Sequence, residues 1–327
     1  MPKARKEPLP VKSCVDDTPT ERPVKRARAV KVVGLKNVKV EIDPCPSMPP
    51  FVDAVDELAG GPFPDYTFPL PEHCEEARDG LARLHSYDIS SGGRKAGLEI
   101  AEPRVPGAVM DYNHSQQTVL DSLVRTILSQ NTTDKTSLRA FTKLKATLPT
   151  WEDVLAAPAA VVEDAIREGG LSEMKTQRIK AILEAVRAEA VDGPGAALSL
   201  EYVRALPTEA VKAELGRFKG VGPKTISCVL MFTLKRAEFP VDTHVWRISK
   251  RLGWAPATCS REQCYEHLNR RLPPHLKYDL HVLLVDHGKR CPSCLGKNGR
   301  LQKECHGPCP LVVLGRKGPS PVKAEVR

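Results

Sequence analysis

Apolar residues recur three and four positions apart through most of the middle of this chain, the spacing that gathers them on one face of a helix. Val119, Leu120, Leu123, Ile127 and Leu128 form such a face, and the polar run Ser129-Gln130-Asn131-Thr132-Thr133-Asp134 interrupts it. The same period predicts helices over 134–147, 151–157, 159–168, 172–190 and 199–204, separated by Pro158, Gly169-Gly170 and Gly193-Pro194-Gly195. A short earlier helix is predicted from Pro71 through Ser86, its first turns acidic, which complements the helix dipole. Residues 87–112 hold Ser-Gly-Gly and prolines and are expected to be loop. No strand alternation of any length appears, so the expected core is all-α.

The pattern is sharpest between Val211 and Trp246. A charged amphipathic segment ends at Phe218-Lys219, and Gly220-Val221-Gly222 follows. Pro223 then opens a segment in which Ile226, Val229, Leu230 and Thr233 recur at helical spacing. This predicts a helix, a tight glycine hairpin and a second helix. Two glycines permit backbone conformations closed to other residues. Amides at a hairpin entering a helix N-terminus offer a site to an anion, and a nucleic-acid phosphate is a natural occupant. Lys224 sits one turn in. Beyond it, Phe239-Pro240-Val241 reads as extended, and Asp242-Thr243 as the cap of a helix through Val245, Ile248 and Leu252.

Charge changes this picture mainly at the N-terminus. The chain of 327 residues has room for one or two domains plus tails, and no apolar run in it is long enough to span a membrane. Its net charge is +9, but residues 1–40 hold eleven Lys/Arg against four Asp/Glu, giving +7 and leaving only +2 for the rest. Residues 1–65, rich in Pro, Lys and Arg, are expected to be a disordered basic tail. Lys25-Arg26-Ala27-Arg28, with Lys3, Arg5 and Lys6, reads as a nuclear localisation signal, a non-specific DNA arm or a merely solvated tail. Glu7, Asp16, Asp17 and Glu21 count against an organelle transit peptide, so the nucleus is the expected location. Of the ten cysteines, Cys14, Cys45, Cys74, Cys228, Cys259 and Cys264 are scattered and are expected to be reduced thiols.

FKGVGPKT followed by PVDTH resembles the helix-hairpin-helix DNA glycosylase superfamily, specifically its endonuclease III-like branch. The resemblance covers residues 110–290 and is carried by the two motifs in order and at this separation. It implies two helical domains with a DNA-binding cleft between them. One would be a barrel over 115–235 carrying the hairpin. The other would span 236–314, with the helix and loop of 66–114 packed on it, and 315–327 would be a disordered tail. The resemblance assigns Lys224 as the nucleophile on deoxyribose and Asp242 as its assistant. It also sets LSQNTTD at the DNA cleft, where an amide fills the gap left by an extruded nucleotide. Gln130 and Asn131 both suit that role, and capping of the next helix is the alternative use of this stretch. Lys219, Gly220, Val221, Gly222 and Thr225, together with Arg217, are the expected DNA-phosphate contacts, and His244 is expected to be structural.

The chemistry implied is base excision. The enzyme must extrude the nucleotide, break its N-glycosidic bond and, through a lysine Schiff base, nick the strand by β-elimination. An ordinary lysine titrates near ~10.4, so attack as a neutral amine requires burial or nearby positive charge to lower it. The expected partner is duplex DNA bearing damaged or modified bases and abasic sites, bound by a monomer. Two alternatives stay open: a helix-hairpin-helix module that binds DNA without chemistry, and a glycosylase for modified cytosine or mismatches. Many family members end with four cysteines spaced C-x6-C-x2-C-x5-C that hold a [4Fe–4S] cluster. Here Cys291-x2-Cys294-x10-Cys305-x3-Cys309 has the right number of thiols and a different spacing, with His306 as an added nitrogen. A [4Fe–4S] cluster, zinc and no metal are all compatible with it.

Overall fold

The computed structural model describes residues 61–90, the backbone of 93–94, and residues 117–189, 197–295 and 308–315. All of them lie in one unit, Asp53–Arg327. Residues 1–60 of the expected 1–65 tail, together with Cys305, His306 and the C-terminal tail beyond Gly315, lie outside the described residues, whereas Phe63 packs against the core.

Most helix starts are written into the local sequence. Helix α1, Pro71–His85, begins with proline at its first position, and its chain direction changes at Ser86, whose φ is 50°. Thr118 and Asp121 form a reciprocal capping box that opens α2, Val119–Leu128. Thr133 caps α3, Asp134–Thr147, and a second box from Thr150 and Asp153 opens α4, Trp151–Ala156. Helices α5, Ala159–Ile166, and α6, Ser172–Ala188, are joined by a 3₁₀ turn at Arg167–Gly169. The hairpin is flanked by α7, Thr208–Gly216, and α8, Pro223–Cys228, which runs on as a π turn over Val229–Thr233. Asp242 caps α9, Thr243–Leu252, and Ser260 with Gln263 boxes the start of α10, Arg261–Arg271. Helix α11, Lys277–Arg290, and the short α12, Pro310–Leu314, complete the set.

Two local expectations change. Residues 199–204, expected as a helix, form a 3₁₀ turn over Glu201–Ala205. Pro207 follows closely, and the residue before a proline avoids the α region. Within the expected loop at 87–112, Tyr87–Asp88 pairs antiparallel with Gly93–Arg94, a ladder too short to leave an alternating pattern. The fold is otherwise all-helical among the described residues.

The side chains gather into two cores. One is built by α2 to α8, with Leu123, Ile127, Leu144, Ile179, Leu183 and Leu215 among its buried members. The other joins α1 to the C-terminal helices, packing Cys74, Ala77 and Leu81 with Ile248, Leu252, Leu280, Leu284 and Leu311. Each fully buried aliphatic side chain contributes roughly 1.5–3 kcal/mol over its exposed state. The α8–π segment is shared: Ile226, Val229 and Leu230 face the first core, and Cys228, Met231 and Phe232 the second. Lys224 sits at the seam, on the helix that belongs to both.

Two buried lysines brace this arrangement. Lys175, fully buried, donates to the carbonyls of Leu128 (2.8 Å) and Gly169 (2.9 Å), so it holds the end of α2 against the turn after α5. Lys277 does the same for Ala237 (3.0 Å) and Asn269 (2.8 Å) on the approach to Asp242. Terminal carbonyls of helices lack intrahelical partners, which is why an ammonium can be kept there.

Candidate active site

A cavity of about 660 Å³ opens at the seam, lined by residues on elements that pack into each core, among them Asn131, Lys224, Asp242, Tyr265 and His281. Lys224 enters it from the first turn of α8 and is half-buried. Asp242 enters from the cap of α9, where its Oδ1 accepts from the Val245 N–H at 2.8 Å. The cap is thus also a positioning device, leaving Oδ2 for the cleft. A third contact closes one side: Lys289 of α11 pairs with Asp134 of α3.

The expected lowering of the lysine is reversed here. The Cys228 sulfur one turn away accepts from Lys224 and holds it above the ordinary lysine value, against burial and with help from Asp242 and Asp134. Burial pushes the Cys228 thiol up in turn, while the Lys224 ammonium beside it pulls it down. Lys224, facing both the Cys228 sulfur and the Asp242 side chain, rests as an ammonium. The sulfur and the two acidic side chains together outweigh desolvation.

His281 is a cleft residue that sequence reasoning missed. Its Nδ1 lies 2.8 Å from the Pro240 carbonyl, its ring meets Phe232 and Phe239 edge-on, and burial pushes it down to about 4 despite Asp242. A neutral imidazole donating from Nδ1 leaves Nε2 without a proton. It also anchors the extended stretch that leads into Asp242. A polar residue on the apolar face of α11 was the only available signal.

The LSQNTTD stretch divides its two amides. Gln130 Nε2 donates to the Gly220 carbonyl and Thr225 Oγ1, both at 3.3 Å, and its Oε1 accepts from Arg178 at 2.8 Å. Gln130 is thus tied to the hairpin. Asn131, exposed, takes a left-handed backbone with φ 54°, a conformation asparagine tolerates better than most residues. Thr133 supplies the cap expected as this stretch's other use.

The hairpin residues also separate. Gly220 has φ 87°, and a Cβ there would stand 2.6 Å from Arg178 Nε, so the fold itself requires glycine. Gly222 has no such neighbour within 4 Å. Lys219 is exposed. Val221 is buried in the first core. Thr225 is only 3% exposed, and its Oγ1 accepts from Gln130. Arg217, another expected phosphate contact, is held by Glu189 at 2.5 Å and Glu214 at 2.9 Å.

His244 packs against α11, where a Cβ at Gly288 would meet its Cβ at 2.8 Å. Its Nδ1 lies 3.2 Å from Arg247 Nη2. Arg247 continues to the carbonyls of Gly288 (3.2 Å) and Cys294 (2.8 Å), linking α9 to the cysteine-rich end of the chain. There, among the described residues, three of the four expected cysteines meet a histidine. His287, Cys291, Cys294 and Cys309 converge, their ligand atoms all within 4.8 Å of one another, and could hold a metal. Among the described residues His287 thus supplies a fourth donor, and Cys305 is not described. Histidine one helical turn before Cys291 was the overlooked signal. A hydrogen bond from Cys294, with a further contribution from His287, holds the Cys309 thiol down to about 3.

Residues 124–274 match the family model described as HhH-GPD superfamily base excision DNA repair protein. The chain is 44% identical over 267 residues to an Arabidopsis thaliana protein named "Putative DNA glycosylase", covering 77% of this chain and 88% of that one. It is 32% identical to endonuclease III of Thermotoga maritima over 57% of this chain and 84% of the relative. The DNA glycosylase/AP lyase ROS1 of Arabidopsis thaliana is 31% identical over 45% of this chain, a match spanning 12% of that much longer protein. In fold, the chain resembles endonuclease III in a trapped covalent intermediate with DNA, at a TM-score of 0.53 and 22% identity, covering 76% of this chain and 99% of that one.

Proposed function

The chain belongs to the HhH-GPD superfamily of base excision DNA repair proteins, and on that premise we propose a DNA glycosylase that also cleaves abasic sites, with Lys224 as nucleophile and Asp242 as its assisting carboxylate. The observation that carries this reading is the presence of both side chains in one cleft at the seam of two cores. A protein that only binds DNA has no use for an amine set beside a carboxylate. The lyase half is further supported by the kinship to a glycosylase/AP lyase and by the fold shared with an enzyme caught covalently on DNA.

The residues suit a definite sequence of steps. The extruded nucleotide presents C1′ to Lys224, which rests protonated. Nζ gives a proton to Asp242 Oδ2 and forms its bond to C1′ as the bond to the base breaks. The base leaves with that electron pair and takes up a proton. Loss of a second proton from Nζ and opening of the sugar at O4′ give the imine. Removal of the C2′ proton then expels the 3′ phosphate and nicks the strand. Water alone at C1′ would give no imine, so lysine is what makes the nick available.

Duplex DNA is the partner this reading requires. Lys219 and the backbone of Gly220 to Gly222 face it as phosphate contacts, and the open space above Gly222 suits close approach of a DNA backbone. Of the two amides, Asn131 is the one available to fill the gap, because Gln130 is spent on the hairpin. The basic tail would direct the protein to the nucleus, which imaging of a fluorescent fusion with and without residues 1–40 tests. For the chemistry, borohydride is added to the protein on a duplex with one abasic site. Wild type should give a covalent adduct and Lys224→Gln none. An adduct that persists in the variant, or wild type that neither traps nor nicks, defeats the proposal. A panel of duplexes with oxidised pyrimidine, modified cytosine or a mismatch then assigns the base.

A further inference from the structure

We infer that the C-terminal donor set is a closed mononuclear zinc site with His287 as its nitrogen ligand, in place of the four-cysteine iron–sulfur cluster that the family resemblance implies. The spacing of the donors measures what fits between them. In a [4Fe–4S] cluster each thiolate binds its own iron, so the body of the cluster separates the ligand sulfurs. Donors no more than 4.8 Å apart leave no room for that body. Around one tetrahedral zinc, bonds of about 2.3 Å to sulfur and 2.0–2.1 Å to nitrogen put sulfurs about 3.8 Å apart and nitrogen about 3.6 Å from sulfur. The Cys294 and Cys309 sulfurs are 3.7 Å apart, and His287 Nε2 is 3.3 Å from the Cys309 sulfur.

The surroundings fit a metal-bound imidazole. His287 presents Nε2 to the sulfurs while its Nδ1 is engaged by His85 Nε2 at 2.9 Å, and His85 Nδ1 lies 3.9 Å from Asp286. A partner on the second nitrogen is the usual way a liganding histidine is oriented. His287, Cys291 and Cys294 are buried. Zinc with three thiolates and a neutral imidazole carries one net negative charge, and Arg247 stands beside it, bonded to the Cys294 carbonyl. Binding would release the protons of whichever thiols are still protonated. Through Arg247 the same site steadies α9, the helix that Asp242 caps. This inference stands apart from the proposed glycosylase chemistry, and its test reads no enzymatic activity.

The experiment is elemental analysis and visible spectroscopy on the purified full chain, followed by replacement of the metal with cobalt. One zinc per chain without iron or sulfide is expected. Cobalt should give the intense d–d bands of a tetrahedral site and a thiolate charge-transfer band sized for three sulfurs. His287→Cys should keep one zinc and enlarge that band by about a third, whereas Cys305→Ala should change neither. His287→Ala should lose zinc affinity by at least tenfold. Iron with labile sulfide and a broad brown absorption would overturn the inference. So would a chain that binds no zinc when refolded with it, or zinc lost in Cys305→Ala and retained in His287→Ala.

Discussion

Helix α9 serves two sites of opposite character. At its cap Asp242 faces an open cleft beside Lys224, and one turn later Arg247 reaches a largely buried set of one histidine and three cysteines. The cleft side is assembled mainly from motifs that are each contiguous in the chain, and it leaves a carboxylate oxygen and an amine facing open space. The cysteine side has its donors turned inward onto one another. An open site can spend its polar groups on a substrate. A closed one spends them on its own structure.

The largest test of that contrast removes chemistry without removing fold. Asp242→Asn keeps the N-cap but loses the charge facing Lys224, so it should destabilise less than Asp242→Ala, while single-turnover base release should fall about 10²- to 10⁴-fold. Asp242→Ala should add roughly 1 kcal/mol of destabilisation in urea melts to the same loss of rate. If the asparagine variant unfolds as readily as the alanine one, the cap and the carboxylate cannot be separated as argued.

The ammonium at Lys224 predicts a pH profile. Its folded-state value is raised by Cys228 and Asp242, so the stability it contributes is fully present below the ordinary value of 10.5 and is lost as pH rises through the raised one. Reactivity runs the other way, because only the neutral amine attacks. Reductive methylation of Lys224 followed by mass spectrometry should therefore rise with pH beyond the range of exposed lysines. In Asp242→Asn the midpoint should move to lower pH. An unchanged midpoint would remove Asp242 from the electrostatics of the site.

Arg247→Met tests whether the two ends of α9 are joined. It removes bonds to the Gly288 and Cys294 carbonyls, and a net loss of about 1–3 kcal/mol is expected in chemical unfolding, together with faster amide exchange in the first turn of α9. Loss of stability with unchanged exchange would leave the sites independent. The smallest effect is expected at the hairpin. Gly222→Ala should stay within about 0.5 kcal/mol of wild type in stability and weaken binding to abasic duplex. Gly220→Ala, crowded by Arg178, should destabilise the fold itself. Equal behaviour of the two glycines would erase the distinction drawn between them.

Much of this was legible in the chain. Helical period and caps located α1 to α6 and the two helices around the hairpin to within a few residues, because caps such as Thr133 and Asp242 act on amides only three positions away. The motifs pointed to Lys224 and Asp242 because they are rare as a pair. Roles that depend on distant partners were not legible. Thr225 meets Gln130, 95 residues away, and Arg217 pairs with Glu189 and Glu214, contacts with no local trace in the chain.

What the amino-acid sequence determined by itself, then, is the helical elements, their caps, and the presence of an amine and a carboxylate in recognisable surroundings. Only the tertiary structure decided which amide of Gln130-Asn131 is available, that the lysine rests charged, that His281 lies under the site and that His287 joins the cysteines. The physical reason is range. Caps and periodicity act over three or four residues and leave a local trace. Burial, charge proximity and ligand convergence depend on which distant segments the two cores bring together.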